Sequence, residues 1–236
     1  DAAASSTAIG VSSYSNAAKG FEVQVNSHGI TIADCFAYSN GGVGIGFFQN
    51  TTLSTIDNCL ITNNVSHGIH IDLSGGSASN RNVVSNNRVI GNGLATGDSG
   101  IVIDQSDYTL VTGNIVESSA RHGIVLTGAS STVVTNNRSM NNSRSTGTVV
   151  GDGIAMESGA NHNLVANNIV LDDQSTKTQR YGVSTDATSN NNIIDDNKAY
   201  QNLTAQIFNV GSNNIVVETK TDNSGVAYSI SGTNVG

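Results

Sequence analysis

Three of the five histidines fall in two short stretches in which a glycine opens an alternating apolar run. They occur in His67-Gly-Ile-His70-Ile-Asp72 and Arg121-His122-Gly123-Ile-Val-Leu, and between them lies Gly100-Ile-Val-Ile-Asp104. Imidazole changes charge near neutral pH and can give or take a proton there. A guanidinium grips a carboxylate with two parallel hydrogen bonds. Two carboxylates brought together either share a proton or hold a divalent cation. The candidate catalytic set is therefore His67, His70, Asp72, Asp104, Arg121 and His122. Asp72 and Asp104 double as candidate calcium ligands, the one cofactor the chain suggests. Asp152, Glu157, Arg180, Tyr181 and Arg144 are candidate substrate contacts. Glu157 with Asp186 forms a second carboxylate pair, and the bland alternative for all of them is a solvated polar face.

What makes these residues neighbours is a recurring phrase, Gly followed by an apolar residue, any residue and another apolar residue. It opens at Gly20, Gly44, Gly68, Gly100, Gly123, Gly153 and Gly182 and ends degenerately at Gln206, at intervals of 24, 24, 32, 23, 30, 29 and 24 residues. A period of this size marks a repeat architecture. The strict alternation is that of a strand, so residues two and four past each glycine point outward, and Asp72 and Asp104 fall about 5 Å apart on adjacent strands. A second apolar pair follows (Val83-Val84, Leu110-Val111, Val133-Val134), then a column Cys35, Cys59, Asn87, Asn114, Asn137, Asn168, Asn197. Stacked asparagines predict a hydrogen-bonded ladder. A third short strand (Phe36-Ala-Tyr, Leu60-Ile-Thr, Ile169-Val-Leu) closes each turn. Extra residues enter at about Ser74–Asn82, Gly91–Ser99, Asn142–Asp152 and Asp172–Tyr181, all beside the glycine strand, which predicts a walled groove there.

Three strands in roughly 23 residues describe an all-β, single-domain right-handed parallel β-helix of about eight rungs. Regular rungs are expected over 20–217 and a cap or tail over 218–236. The Leu-x-x-Leu-x-Leu signature of a leucine-rich repeat is absent. The asparagine column and the Gly-Ile phrases resemble the repeats of the pectate-lyase-like superfamily across nearly the whole chain. Positionally, the layout around His67–Asp72, Asp104 and Arg121-His122 also resembles the catalytic module of mannuronan C5-epimerases and related alginate lyases. That family's Tyr-Gly-Phe-Asp-Pro-His stretch becomes His67-Gly-Ile-His70-Ile-Asp72 here, with Asp and His exchanged and Pro lost. The resemblance implies C5 proton abstraction from a uronate-containing polysaccharide, with Arg121 on the carboxylate, His70 or His122 as base and His67 as acid. A hydrolase of tailspike or polygalacturonase type, using paired carboxylates, and a non-catalytic sugar-binding β-helix are the alternatives.

Composition narrows the partners. Net charge is −8 and the ten basic residues are scattered, so a nucleic-acid footprint is not expected. No apolar run approaches the ~20 residues of a membrane-spanning helix. A secreted protein acting on a polysaccharide is expected, monomeric or, if from a phage, trimeric. Cys35 and Cys59 share the ladder column and are read as two small buried thiols rather than a disulfide. Lys177 and Arg138, with Arg144 and Arg180, are basic residues available to grip a polyanion from loops.

Overall fold

A computed structural model describes residues 4–73, 78–145, 150–221 and 226–230. The chain winds through three parallel sheets of nine strands each, and every strand pairs with its equivalents one coil before and after. The glycine strands, from Phe21–Val23 through Ile69–Ile71, Ile101–Asp104, Ile124–Thr127, Ile154–Glu157 and Tyr181–Thr185, form one sheet. The expected β-helix with three strands per coil is present.

The coil extends beyond the stretch expected to be regular. Strands Thr7–Ile9 and Ser12–Tyr14 precede Gly20 and pair into the first and second sheets. Within the expected tail, Lys220–Thr221 and Val226–Ile230 add one more strand each to the second and glycine sheets. Val226-Ala-Tyr-Ser-Ile alternates as a strand does, but its register puts Ala227, and not Gly225, opposite Gln206 and the anchor glycines.

The corners explain the polar composition. Between the first and second sheets the chain turns on one residue of positive φ: Gly10, Asp34, Asn58, Asn86, Gly113, Asn136, Asn167, Asp196 or Glu218. Asn, Asp and Gly tolerate that conformation best. The next residue is the ladder, in which Asn87, Asn114, Asn137 and Asn168 each donate through Nδ2 to the Oδ1 of the following rung at 2.9–3.0 Å. The ladder oxygens also accept backbone N–H groups, so buried polar atoms at the turn are satisfied. Two further ladders occupy the other corners. One runs Asn16–Asn40–Asn64–Asn92, resuming as Asn142–Gln179–Asn202–Gln206; the other runs Asn163–Asn192–Asn214. Both escape sequence inspection because Ser, Thr and Gln interrupt them.

The interior is a stack of aliphatics: Ile45, Ile69, Ile101, Ile124 and Ile154 in one column, Ile71, Ile103, Leu126 and Met156 in the next, all essentially inaccessible. Cys35 and Cys59 are free and buried. The Cys59 thiol is pushed up to about 12, chiefly by burial, so it is an inert packing group. The anchor glycines are there because the corner is tight: a Cβ on Gly123 would lie 2.0 Å from Ser139 Oγ and 2.7 Å from the Gly153 carbonyl.

Candidate active site

Outward residues of the glycine sheet stand in register as expected. One column runs Gly46, His70, Val102, Val125, Ala155, Ser184, Phe208. Val102, Val125 and Ala155 form a small buried apolar patch, the floor between two polar clusters.

The first cluster contains His67, His70, Asp72 and Asp104. Gly46 lets the Phe48 ring fold back over the sheet, since a Cβ there would meet that ring at 2.1 Å. Phe48 then meets His70 edge-on at 5.5 Å, and His67 closes the other side at 4.9 Å. Walled in this way, His70 is pushed down to about 3 by burial, with the neighbouring His67 adding to the effect. It is a neutral imidazole at neutral pH. His67 is also lowered by burial; its Nδ1 accepts the Ser99 N–H at 3.1 Å, which leaves the proton on Nε2, 3.7 Å from Asp98. Asp98 is held in turn by the hydroxyls of Ser66 and Thr96 at 2.7 and 2.8 Å. One ligand atom each from His70, Asp72 and Asp104 lies within 4.8 Å of the others. Burial, then Asp72, raises the Asp104 carboxyl. Two carboxylates and an imidazole nitrogen can hold a divalent cation, and the carboxylate oxygens of Asp72 and Asp104 suit calcium or manganese.

The second cluster departs from expectation. His122 is 1% exposed and lies beneath the surface, its Nδ1 accepting the Asp152 N–H at 3.0 Å and its Nε2 3.6 Å from Glu157. Burial lowers it to about 4, and a ring so enclosed does not reach a substrate as a base. Asp152 is equally buried: Arg180 bonds both its oxygens at 2.9 Å, with Ser184 Oγ at 2.7 Å and the Tyr181 N–H at 3.2 Å. These two expected substrate contacts satisfy one another, because a buried carboxylate needs a cation beside it. Tyr181 sits under Arg180 and stacks on Phe208 at 4.3 Å. Arg121, 40% exposed, bonds Glu157 at 3.1 Å. Arg144 turns away to Gln174, tying two inserted loops together. Parts of the inserts at 74–82 and 142–152 lie outside the described residues.

Glu157 and Asp186 share a cavity of about 230 Å³ with Arg180, Ser184 and Phe208. Burial raises Glu157, although Arg121 opposes it. Burial would raise Asp186 too, but hydrogen bonds from the Ser158 N–H and from Thr188 outweigh it and hold it low. The residues that sequence reasoning passed over are Asp98, Ser184 and Phe208. Asp98 was findable, since it ends an insert directly before Ser99-Gly100; Ser184 and Phe208 had only their column position to offer.

The architecture and the outward column define a solenoid with an acid–histidine face. Residues 72–176 and 96–235 match the family described as the right handed beta helix region, and the chain belongs to it. No curated protein sequence matches the chain. Among solved structures it is similar to the mannuronan C-5 epimerase AlgE6 A-module of Azotobacter vinelandii (TM-score 0.71, 15% identity, 95% of this chain and 56% of that one). It is also similar to tailspike protein 2 of bacteriophage CBA120 (TM-score 0.72, 10% identity, 93% and 36%). Pectate lyase Pel9A gives a TM-score of 0.54 at 14% identity, covering 89% and 55%. The chain thus spans about half or less of each, and at these identities the likeness is one of fold.

Proposed function

We propose that this is a secreted carbohydrate-active β-helix, a lyase or C5-epimerase acting on a uronate-containing polysaccharide. The observation that carries the reading is the neutral His70 ring, set edge-on to His67 and next to Asp72 and Asp104 on the open face of the glycine sheet. A neutral imidazole accepts the C5 proton. The exposed side of Arg121 neutralises the uronate carboxylate and so stabilises the enolate-like charge that develops. His67 is the acid: as an imidazolium charged by a proton from solvent it returns a proton from Nε2, and the His70 imidazolium gives its proton back to solvent to close the cycle. If the His67 proton reaches C5 from the opposite face, the sugar is epimerised. If instead the C5 electron pair forms a C4–C5 double bond, the C4–O4 bond breaks and the departing oxygen takes the proton. A divalent cation at Asp72 and Asp104, calcium in the simplest case, belongs to the same proposal and would assist Arg121 on the carboxylate. The epimerase and lyase among the structural neighbours support this substrate class.

One observation favours a second reading. Glu157 is raised and Asp186 lowered in a shared cavity, the division of labour of a hydrolytic acid and its partner carboxylate. Incubation with a panel of polyuronates separates the two. Ultraviolet absorbance from an unsaturated uronate indicates a lyase, and a C5 change by NMR without it an epimerase. New reducing ends without absorbance indicate the hydrolase. Full activity in both His70→Ala and Asp104→Ala would remove the first cluster from the mechanism, and silence across the panel favours a non-catalytic sugar-binding role.

A further inference from the structure

The basic residues are not distributed as the net charge suggests. Three of the ten are ion-paired, Lys19 with Glu22, Arg121 with Glu157 and Arg180 with Asp152. Arg81 lies over Tyr108, Arg144 bonds Gln174, and Lys177 bonds the Asp172 carbonyl. The remaining four, Arg88, Arg138, Lys198 and Lys220, all stand in one column on the outer face of the second sheet. Strand register places them in the order Phe36, Leu60, Arg88, Ile115, Arg138, Ile169, Lys198, Lys220. All four are exposed, and none has a carboxylate within ion-pair distance among the described residues. Arg138 donates through Nε to Met140 Sδ at 3.1 Å. Glu117 is the one acid in the described strands of this sheet. At the same end as Phe36 and Leu60, and reaching Arg88 and Ile90, lies a cavity of about 460 Å³.

We propose that this face is a second binding surface, separate from the glycine sheet, for an extended acidic polysaccharide. Strands repeat about every 4.8 Å, so Arg88, Arg138 and Lys198 stand about 10 Å apart in line, with Ile115 and Ile169 between them. Such a row meets the carboxylates of a linear polyuronate while the isoleucines contact the apolar faces of its sugar rings. An anionic protein repels a polyanion everywhere except where its unpaired cations gather, so the column selects the face. A row of unpaired cations on an otherwise acidic chain is also what sets this sheet apart from the other two. The surface shares with the reading above only the acidic character of the chain bound; it requires no reaction.

The test measures binding of the intact chain to a sized oligouronate, a neutral glucan and single-stranded DNA across a salt series. Wild type and a variant carrying Arg88→Gln, Arg138→Gln, Lys198→Gln and Lys220→Gln are compared, with thermal melting to confirm that both fold. The expected result is oligouronate binding that weakens with salt, no binding of the glucan, and affinity about tenfold lower with a flatter salt dependence in the variant. In a His70→Ala background, inactive on the proposed mechanism, the fourfold substitution should lower affinity by the same factor, so failure of the active-site reading leaves this result standing. Equal binding by the fourfold variant overturns the proposal, as does binding of DNA but not oligouronate, or of neither. If the variant unfolds, Lys198→Gln with Lys220→Gln, at the far end of the column, provides the same comparison at smaller effect.

Discussion

At the residue scale the site is governed by desolvation. Phe48 and His67 remove water from His70 and hold it neutral, while Asp72 and burial together keep Asp104 high. Loss of a positioned acid or base costs about 10²- to 10⁴-fold, so His70→Ala should lower kcat by that much on whichever polyuronate is turned over. Asp104→Asn keeps the shape but removes a charge from the cation site, and its defect should grow when divalent ions are limiting. If a cation sits between Asp72 and Asp104, chelation should abolish activity in wild type and manganese or calcium should restore it, whereas indifference to chelator removes the metal from the proposal. His122 gives a pH dependence of known sign. Its ordinary value is 6.5 and burial brings it to about 4 in the fold. Between those values the unfolded chain binds the extra proton, so stability falls as pH drops from 6.5 towards 4 and levels off below. The loss is on the order of 3 kcal/mol. Urea midpoints at neutral and mildly acid pH should diverge in wild type and diverge less in His122→Gln, in which the lowered His67 and His70 still contribute with the same sign.

At the element scale each coil depends on its corners. Asn114 Nδ2 donates to the Val84 carbonyl at 2.9 Å as well as to Asn137, and its Oδ1 receives two bonds from Asn87. Asn114→Ala leaves several of these buried groups without partners, and a loss of about 2–3 kcal/mol in chemical denaturation is expected. Gly123→Ala forces a methyl against Ser139 and the Gly153 carbonyl, a conflict that backbone cannot relieve cheaply, and should cost about 1–3 kcal/mol. That coil also positions Arg121 and His122, so activity should fall along with stability. The glycine phrase and the asparagine column were legible in the sequence because both repeat with one identity. The other two ladders were not, because any side chain that can accept a backbone N–H serves at those corners, and Ser, Thr, Asn and Gln alternate there.

At the scale of the whole molecule, a coil of three parallel sheets turns positions far apart in the chain into straight rows. His70 and Val102 are 32 residues apart and directly paired; Arg88 and Lys220 are 132 residues apart in the chain and five strand steps apart in one column. Stability in such a solenoid is a sum over neighbouring coils, so damage at one rung should spread little, and substitutions on the second sheet should leave the glycine face active. The sequence alone determined the fold, because a repeat with fixed alternation leaves little freedom over which residues stack and which face out. It also placed His67, His70, Asp72 and Asp104 together, since register follows from counting. Only the tertiary structure decided that His122 and Asp152 are enclosed, that Arg180 is committed to Asp152, and that Asp98 reaches His67. Those outcomes depend on how the inserted loops and long side chains close over the sheet, which is a matter of three-dimensional packing and desolvation that no spacing encodes.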